Sequence, residues 1–322
     1  MKVTVTGGAG FIGSHLVEEL LARDYNVTVL DNLSTGSLKN LSSALKNPHF
    51  NFIEGSVLDE VLLSETLKGS ETVFHLAASV GVRRIVDDPI TTIRTNVVGT
   101  DTLLSVASKC GCRRVLVASS SEVYGKSFGT PFSEEDDLLF GATHKSRWSY
   151  GISKALDEIL ALAYHSKNLL MTIIVRFFNI VGERQTGEYG MVLPRFIKQA
   201  LSREPLTVYG NGEQVRTFCY VKDAVEALIR LSLCEQAYGK VVNLGSPYPI
   251  RIRELAELVK KTLSSSSEIR FIPYEDVYGV GFEDILYRVP DITLLKNLTG
   301  YTPQTPIDKI ILRVASSQNP VE

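Results

Sequence analysis

The stretch Thr6–Leu16 (TGGAGFIGSHL) restricts what this chain can fold into more than any other. Gly8, Gly10 and Gly13 have the G-x-G-x-x-G spacing, and Gly7 extends it to G-x-x-G-x-x-G. A glycine-rich run alone says little. This one follows a strand-like run, Lys2–Thr6 (KVTVT), and opens a helical pattern, Phe11–Arg23. In that setting glycines permit a tight turn and bring backbone close to a pyrophosphate, and the free N–H groups and positive dipole end of the helix can hold it.

The N-terminal half continues the alternation. Asn26–Leu30, Asn51–Glu54, Thr72–Leu76, Arg114–Ala118 and Thr172–Arg176 read as strands, with a long helical segment over Tyr150–Ser166. Strands separated by helices predict a parallel sheet covered on both faces, the doubly wound α/β, Rossmann-type class. After Asn179 the strands shorten and Pro194, Pro205, Pro247, Pro273, Pro303 and Pro306 punctuate the chain. This predicts a smaller C-terminal α/β substrate lobe over 179–212 and 245–317, the large domain taking 1–178 with a return over 213–244. A length of 322 residues suits that division.

Composition narrows the function. A net charge of −2 argues against a broad nucleic-acid footprint. A strand that starts at Lys2 leaves no room for a signal peptide, and no apolar run is long enough to cross a membrane. Cys110, Cys112, Cys219 and Cys234 lack zinc-ligand spacing and read as reduced thiols, so the expectation is a cytoplasmic protein without a metal.

Asp31 ends the second strand, 18 residues after Gly13. A carboxylate there can accept from the adenosine ribose hydroxyls and repel the extra phosphate of NADP, which favours NAD; a loop-capping Asp is the competing reading. Tyr150 and Lys154 are i and i+4 and share a helix face. A nearby lysine and a cationic nicotinamide would depress the phenol pKa and make Tyr150 a general base. Serines 119–121 and Glu122 follow a central strand, where side chains face the ligand crevice. A Tyr-x-x-x-Lys pair is common by chance; its conjunction with the glycine cradle and the strand-end serines is what carries weight.

These marks, together with LDNLSTG, HLAA (75–78), SSSEVYG (119–125), YGISK and RFFN (176–179), resemble the extended short-chain dehydrogenase/reductase family, in its nucleotide-sugar epimerase, dehydratase and decarboxylase group. The resemblance covers nearly the whole chain. It implies tightly held NAD contacted by Gly7, Gly10, Phe11, Ile12 and Gly13, then Asp31, Asn32, Ser34 and Gly36, then Ser56 and Val57, and then Leu76, Ala77, Ala78, Ser119, Tyr150, Lys154 and Phe177. It implies catalysis by Ser120, Tyr150 and Lys154 together. It places Thr207 and Tyr209 near a nucleotide base and Arg216 on phosphate, with Ser121, Asn179, Val192, Leu193 and Asp284 as further sugar or nucleotide contacts. Ser56 and Gly281 depart from the family pattern, standing where many relatives have an Asp and some epimerases a second phosphate-binding Arg.

The reaction is less settled by motif. Glu122 after the catalytic serine resembles uronate decarboxylases and some dehydratases. Met191 stands where alignment puts a decarboxylase active-site Arg, and the segments around Arg83 and Arg184 resemble UDP-glucuronate 4-epimerases, where either Arg would hold a C6 carboxylate. The expectation is therefore an NAD-dependent UDP-sugar 4-epimerase, an isomerase. The alternatives are a UDP-glucuronate decarboxylase, a 4,6-dehydratase, or a non-catalytic NAD sensor on the same fold. The family also implies a homodimer through two long helices, Thr92–Lys109 and Tyr150–Lys167.

Overall fold

The computed structural model describes residues 1–79, 88–126, 130–185, 191–278 and 285–318. At its centre is a seven-stranded parallel sheet. Six strands come in chain order: β1 Lys2–Thr6, β2 Asn26–Asp31, β3 Phe50–Glu54, β4 Thr72–His75, β5 Arg114–Ser120 and β6 Met171–Phe177. The seventh, Lys240–Leu244, pairs with β6 from Lys240–Ile173 to Leu244–Phe177. The order across the sheet is Lys240–Leu244, β6, β5, β4, β1, β2, β3. The chain therefore builds outward from β1 in one direction and then restarts on its other side with β4. Ligands of such sheets bind at that switch, beyond the C-terminal strand ends. This is the doubly wound α/β architecture expected from the alternation of strands and helices.

Successive strand residues are buried on opposite faces. Val73, Val115, Val117 and Ile174 pack with Leu63, Leu103 and Ala161, while Phe74, Leu116, Ile173 and Val175 join a second core with Leu16, Leu20 and Leu228. Burial on both faces explains why the strands read as near-continuous apolar runs. Helix α1 (Phe11–Ala22) and the Val221–Leu233 helix cover one face; α2 (Glu60–Leu67), Gly99–Lys109 and Ser149–Ser166 cover the other. The helix expected over Thr92–Lys109 is interrupted: Pro89–Ile93 leads into a π-helical turn, Arg94–Val98, before Gly99–Lys109. Beyond the C-terminal strand ends, Val215–Thr217 lies between Pro249–Arg251 and Tyr287–Arg288, and Leu206–Tyr209 pairs with Ile269–Ile272. The Val192–Leu201, Ile252–Thr262 and Ile307–Gln318 helices pack together there.

A buried polar brace ties β5, β6 and the edge strand Lys240–Leu244 to the Ser149–Ser166 helix. Glu158 takes two bonds from Arg176 of β6 (Nε to Oε1 2.9 Å, Nη2 to Oε2 2.7 Å), and Ser119 of β5 donates to the same carboxylate at 2.5 Å. The Arg176 guanidinium lies 4.5 Å from the Tyr124 ring centroid, and the Tyr124 hydroxyl donates to Asn243 Oδ1 at 2.7 Å. Removing one partner of a buried pair leaves the other charge uncompensated, which costs about 3–5 kcal/mol. Arg176→Met should therefore lower unfolding stability by that amount, read from the urea midpoint at unchanged slope.

Candidate active site

The glycine loop and the strand ends open onto a cleft of about 550 Å³. Gly7, Gly10, Phe11, Ile12 and Gly13 line one wall, with Asp31, Asn32, Ser34, Ser56, Val57, Leu76, Ala77 and Ala78 around them. The loop is tight: a Cβ on Gly13 would lie 2.2 Å from the Gly7 carbonyl oxygen. No side chain caps the N-terminus of α1, and its first turn carries no acidic residue. Its free N–H groups therefore face the cleft with a net positive dipole end, which suits an anionic group. Asp31 is anchored by backbone, accepting from Ala9 N at 2.9 Å and Leu33 N at 2.8 Å. Burial raises its pKa and the two N–H bonds oppose the rise. An adenine dinucleotide fits this wall: glycine backbone for the pyrophosphate, a fixed carboxylate for the ribose.

The opposite wall carries the chemistry. Ser120 ends β5, and the chain turns at once through Ser121–Tyr124. The Ser149–Ser166 helix approaches that turn so closely that a Cβ on Gly151 would lie 2.5 Å from the Glu122 carbonyl oxygen. The approach brings the Tyr150 phenol near the Ser120 hydroxyl, which favours the ionised phenol. Lys154, one turn on, is 2% exposed and donates to Asp157 Oδ2 at 2.6 Å. Burial first and the Glu122 carboxylate second push the Tyr150 pKa well above its usual value, against the pull of Ser120. Burial withdraws water from the phenolate, and the Glu122 and Asp157 carboxylates add like charge, while Lys154 is paired with Asp157.

Glu122 sits between two arginines. Arg147 Nη1 bonds its Oε2 at 2.6 Å, and Arg288 Nη1 bonds its Oε1. Burial would raise the Glu122 pKa, but the two guanidiniums pull it down to about 2. Arg288 also donates to Asn179 Oδ1 at 2.5 Å and is paired in register with Arg216, which lines the cleft as well. Farther out, the Arg195 guanidinium lies 3.9 Å from the Tyr209 ring centroid, next to Gln214 and Tyr274. Ser119, Ser120, Ser121, Phe177, Asn179, Val192, Leu193 and Tyr209 also reach the cleft.

Three expected contacts fall elsewhere. Arg184 is spent on Glu18 at 2.6 Å and does not line the cleft, because α1 supplies a carboxylate within its reach. Thr207 does not line the cleft either; its hydroxyl and backbone N–H bond the Gln199 side chain. Gly36 packs its backbone on Ala9, where a Cβ would lie 2.9 Å from the Ala9 carbonyl carbon, rather than lining the cleft. Arg83 and Asp284 lie outside the described residues. Arg147, Arg288, Arg195 and Asp157 were not foreseen. Arg147 had a local signal, one turn before Tyr150. Arg288 had none, since only strand pairing brings it to the cleft. Met191 does line the cleft, yet it does not leave the site short of cations, because Arg147 and Arg288 supply two.

Residues 3–245 match the NAD dependent epimerase/dehydratase family. Over 304 residues the chain is 46% identical to UDP-N-acetyl-alpha-D-glucosaminuronate decarboxylase of Bacillus cytotoxicus, covering 94% of this chain and 92% of that one. It is 38% identical to UDP-glucuronic acid decarboxylase 4 of Arabidopsis thaliana, covering 95% of this chain and 66% of that one. The structure of a dTDP-glucose 4,6-dehydratase from Streptomyces venezuelae, solved with NAD, superposes with a TM-score of 0.89 at 30% identity, covering 99% of this chain and 98% of that one. Both curated relatives are decarboxylases, which overturns the expectation of an isomerase. Among the described residues no helix is long and apolar enough to cross a membrane.

The glycine geometry gives a direct test. Gly13→Ala should force the loop off the helix, so the purified variant should release no dinucleotide on acid denaturation while the wild type does.

Proposed function

Since the chain belongs to the NAD dependent epimerase/dehydratase family, with NAD as its cofactor, we propose that it decarboxylates a UDP-linked hexuronate, with UDP-N-acetylglucosaminuronate or UDP-glucuronate as substrate. The observation that carries this reading is Glu122 held between Arg147 and Arg288 beside Tyr150, in a chain similar to two decarboxylases.

The proposed roles follow from position. The α1 N-terminus, Asp31 and the surrounding cleft residues bind the dinucleotide, and Arg216 together with the Tyr209–Arg195 stack binds the nucleoside diphosphate. Tyr150, beside Ser120, takes the proton from the sugar 4-hydroxyl. The dinucleotide, when bound, would supply a hydride acceptor at C4 and give the hydride back once CO2 has left and C5 has taken up a proton to restore the C4 ketone. Between those events C4 is a ketone, β to the carboxylate. Loss of CO2 then sends the C5–C6 bond electrons toward the C4 oxygen, where the Ser120 and Tyr150 hydroxyls can donate to it.

Glu122 decides how the C6 carboxylate is received. A free guanidinium fork would grip that carboxylate by paired charge-assisted bonds and oppose its departure. With both arginines already bridged by Glu122, the carboxylate meets a cluster whose charge is largely balanced. The arginines orient it without holding it, and the ionised Glu122 disfavours a retained negative charge.

The Ser149–Ser166 helix and its neighbours leave Ile90 (73% exposed), Ile93, Val98, Leu156 and Ile159 (60% exposed) on the surface. We take this apolar face as the seat of a homodimer.

Purified protein with no added cofactor should convert UDP-N-acetylglucosaminuronate or UDP-glucuronate to a UDP-pentose sugar and CO2, followed by proton NMR. A 4-epimeric uronate without CO2 would sink the reading. Glu122→Gln should cut kcat by roughly a hundredfold or more while KM stays level or falls, since both arginines would then grip the carboxylate. Light scattering after size exclusion should give a dimer mass.

A further inference from the structure

We infer that Asp157 is a positioning residue for the Tyr150–Lys154 pair: its carboxylate fixes the Lys154 ammonium in a buried ion pair and sets a negative charge below the phenol on the same helix. The inference rests on the reading of Tyr150 as the general base. Tyr150, Lys154 and Asp157 are i, i+4 and i+7 of one helix and so share a face. Lys154 Nζ and Asp157 Oδ2 are 2.6 Å apart, and both side chains are sealed, at 2% and 0% exposure. The adjacent carboxylate is engaged elsewhere, because Glu158 is held by Arg176 and Ser119. Asp157 is thus the carboxylate that the structure gives to Lys154.

The far side of Asp157 is sparsely satisfied. Its Oδ1 is buried without a hydrogen-bond partner of ordinary length, and the Thr100 hydroxyl favours the ionised carboxylate after Lys154 does. Behind it runs a neutral polar chain: Thr100 Oγ1 is 3.1 Å from His75 Nε2, and His75 Nδ1 is 2.8 Å from Thr6 Oγ1. Burial, with Lys154 assisting, drives the His75 pKa down to about 3, so β4 sends no second cation toward the pair. The charged groups acting on Tyr150 are Glu122 from the turn after β5, Arg288 from the Tyr287–Arg288 strand, and Asp157 from its own helix, where it is paired with Lys154. Glu122 and Asp157 both oppose ionisation of the phenol. The second carboxylate adds to the burial and the Glu122 charge that already favour the protonated phenol.

The sign of the test follows. Removing the Asp157 charge lowers the Tyr150 pKa, so the phenolate should form at lower pH. Two turns of helix put the charges about 10 Å apart, which corresponds to roughly one pH unit at an effective dielectric near 20. The measurement is the ultraviolet phenolate titration of NAD-loaded Asp157→Asn, taken as a difference from the Tyr150→Phe variant, alongside the pH profile of kcat. The expected result is that the phenolate titration and the acid limb both move down by about one unit with bound dinucleotide retained. A titration and limb that stay put, or move up, overturn the inference even if kcat falls, since a merely structural Asp157 would lower activity without shifting either. Should Asp157→Asn fail to fold, Asp157→Ser removes the same charge with a smaller side chain and is judged by the same two readings. The phenolate titration needs no sugar, so it can fail independently of the proposed decarboxylation.

Discussion

The Ser149–Ser166 helix reaches the end of β5 only because position 151 has no side chain. The helix backbone meets the Glu122 carbonyl at a distance that a Cβ would occupy. That contact seats Tyr150 against Ser120, and it carries Lys154, Asp157 and Glu158 into the protein along one helical face. The paired charges of the site and the brace beneath it hang from this approach.

Three carboxylates lie within two turns of that helix or against it, and each has its own cation. Glu158 holds Arg176, Asp157 holds Lys154, and Glu122 holds Arg147 and Arg288. Burying charge is tolerable only when it is paired and hydrogen-bonded. The consequences differ by position. The Glu158 pair joins β5 and β6 to the helix and is structural. The Asp157 pair acts on the base. The Glu122 cluster faces the cleft and presents a nearly balanced charge to whatever enters.

Much of this was legible in the primary structure. Gly7, Gly10, Gly13 and Asp31 belong to one continuous strand–turn–helix–strand unit, so local spacing alone implied their shared place. Tyr150 and Lys154 are one helical turn apart, and Ser120 follows an apolar strand, so their faces could be inferred from periodicity. The misreadings came where the chain returns from a distance. Arg184 is paired with Glu18, which α1 brings to it from 166 residues away. Thr207 shares a strand face with Tyr209, but its hydroxyl and N–H are taken up by the Gln199 side chain, a partner that strand periodicity does not reveal. Met191 was weighed as a missing arginine, although Arg288 arrives by pairing with Arg216 from the far end of the chain. The isomerase expectation leaned on those same distant assignments and fell with the comparison to decarboxylases.

Sequence by itself determined the local units: a glycine turn that must approach phosphate, strands apolar on both faces, and a Tyr–Lys pair on one helix face. These depend on residues within a few turns of each other, where backbone geometry leaves few choices. Tertiary structure alone decided which charges meet. Glu122 could have been a free acid, Arg288 a surface cation and Asp157 a solvated helix carboxylate. Packing put them in a water-poor volume, where a charge has only the partners that the fold supplies, and those partners set its proton affinity and what it can do to a substrate.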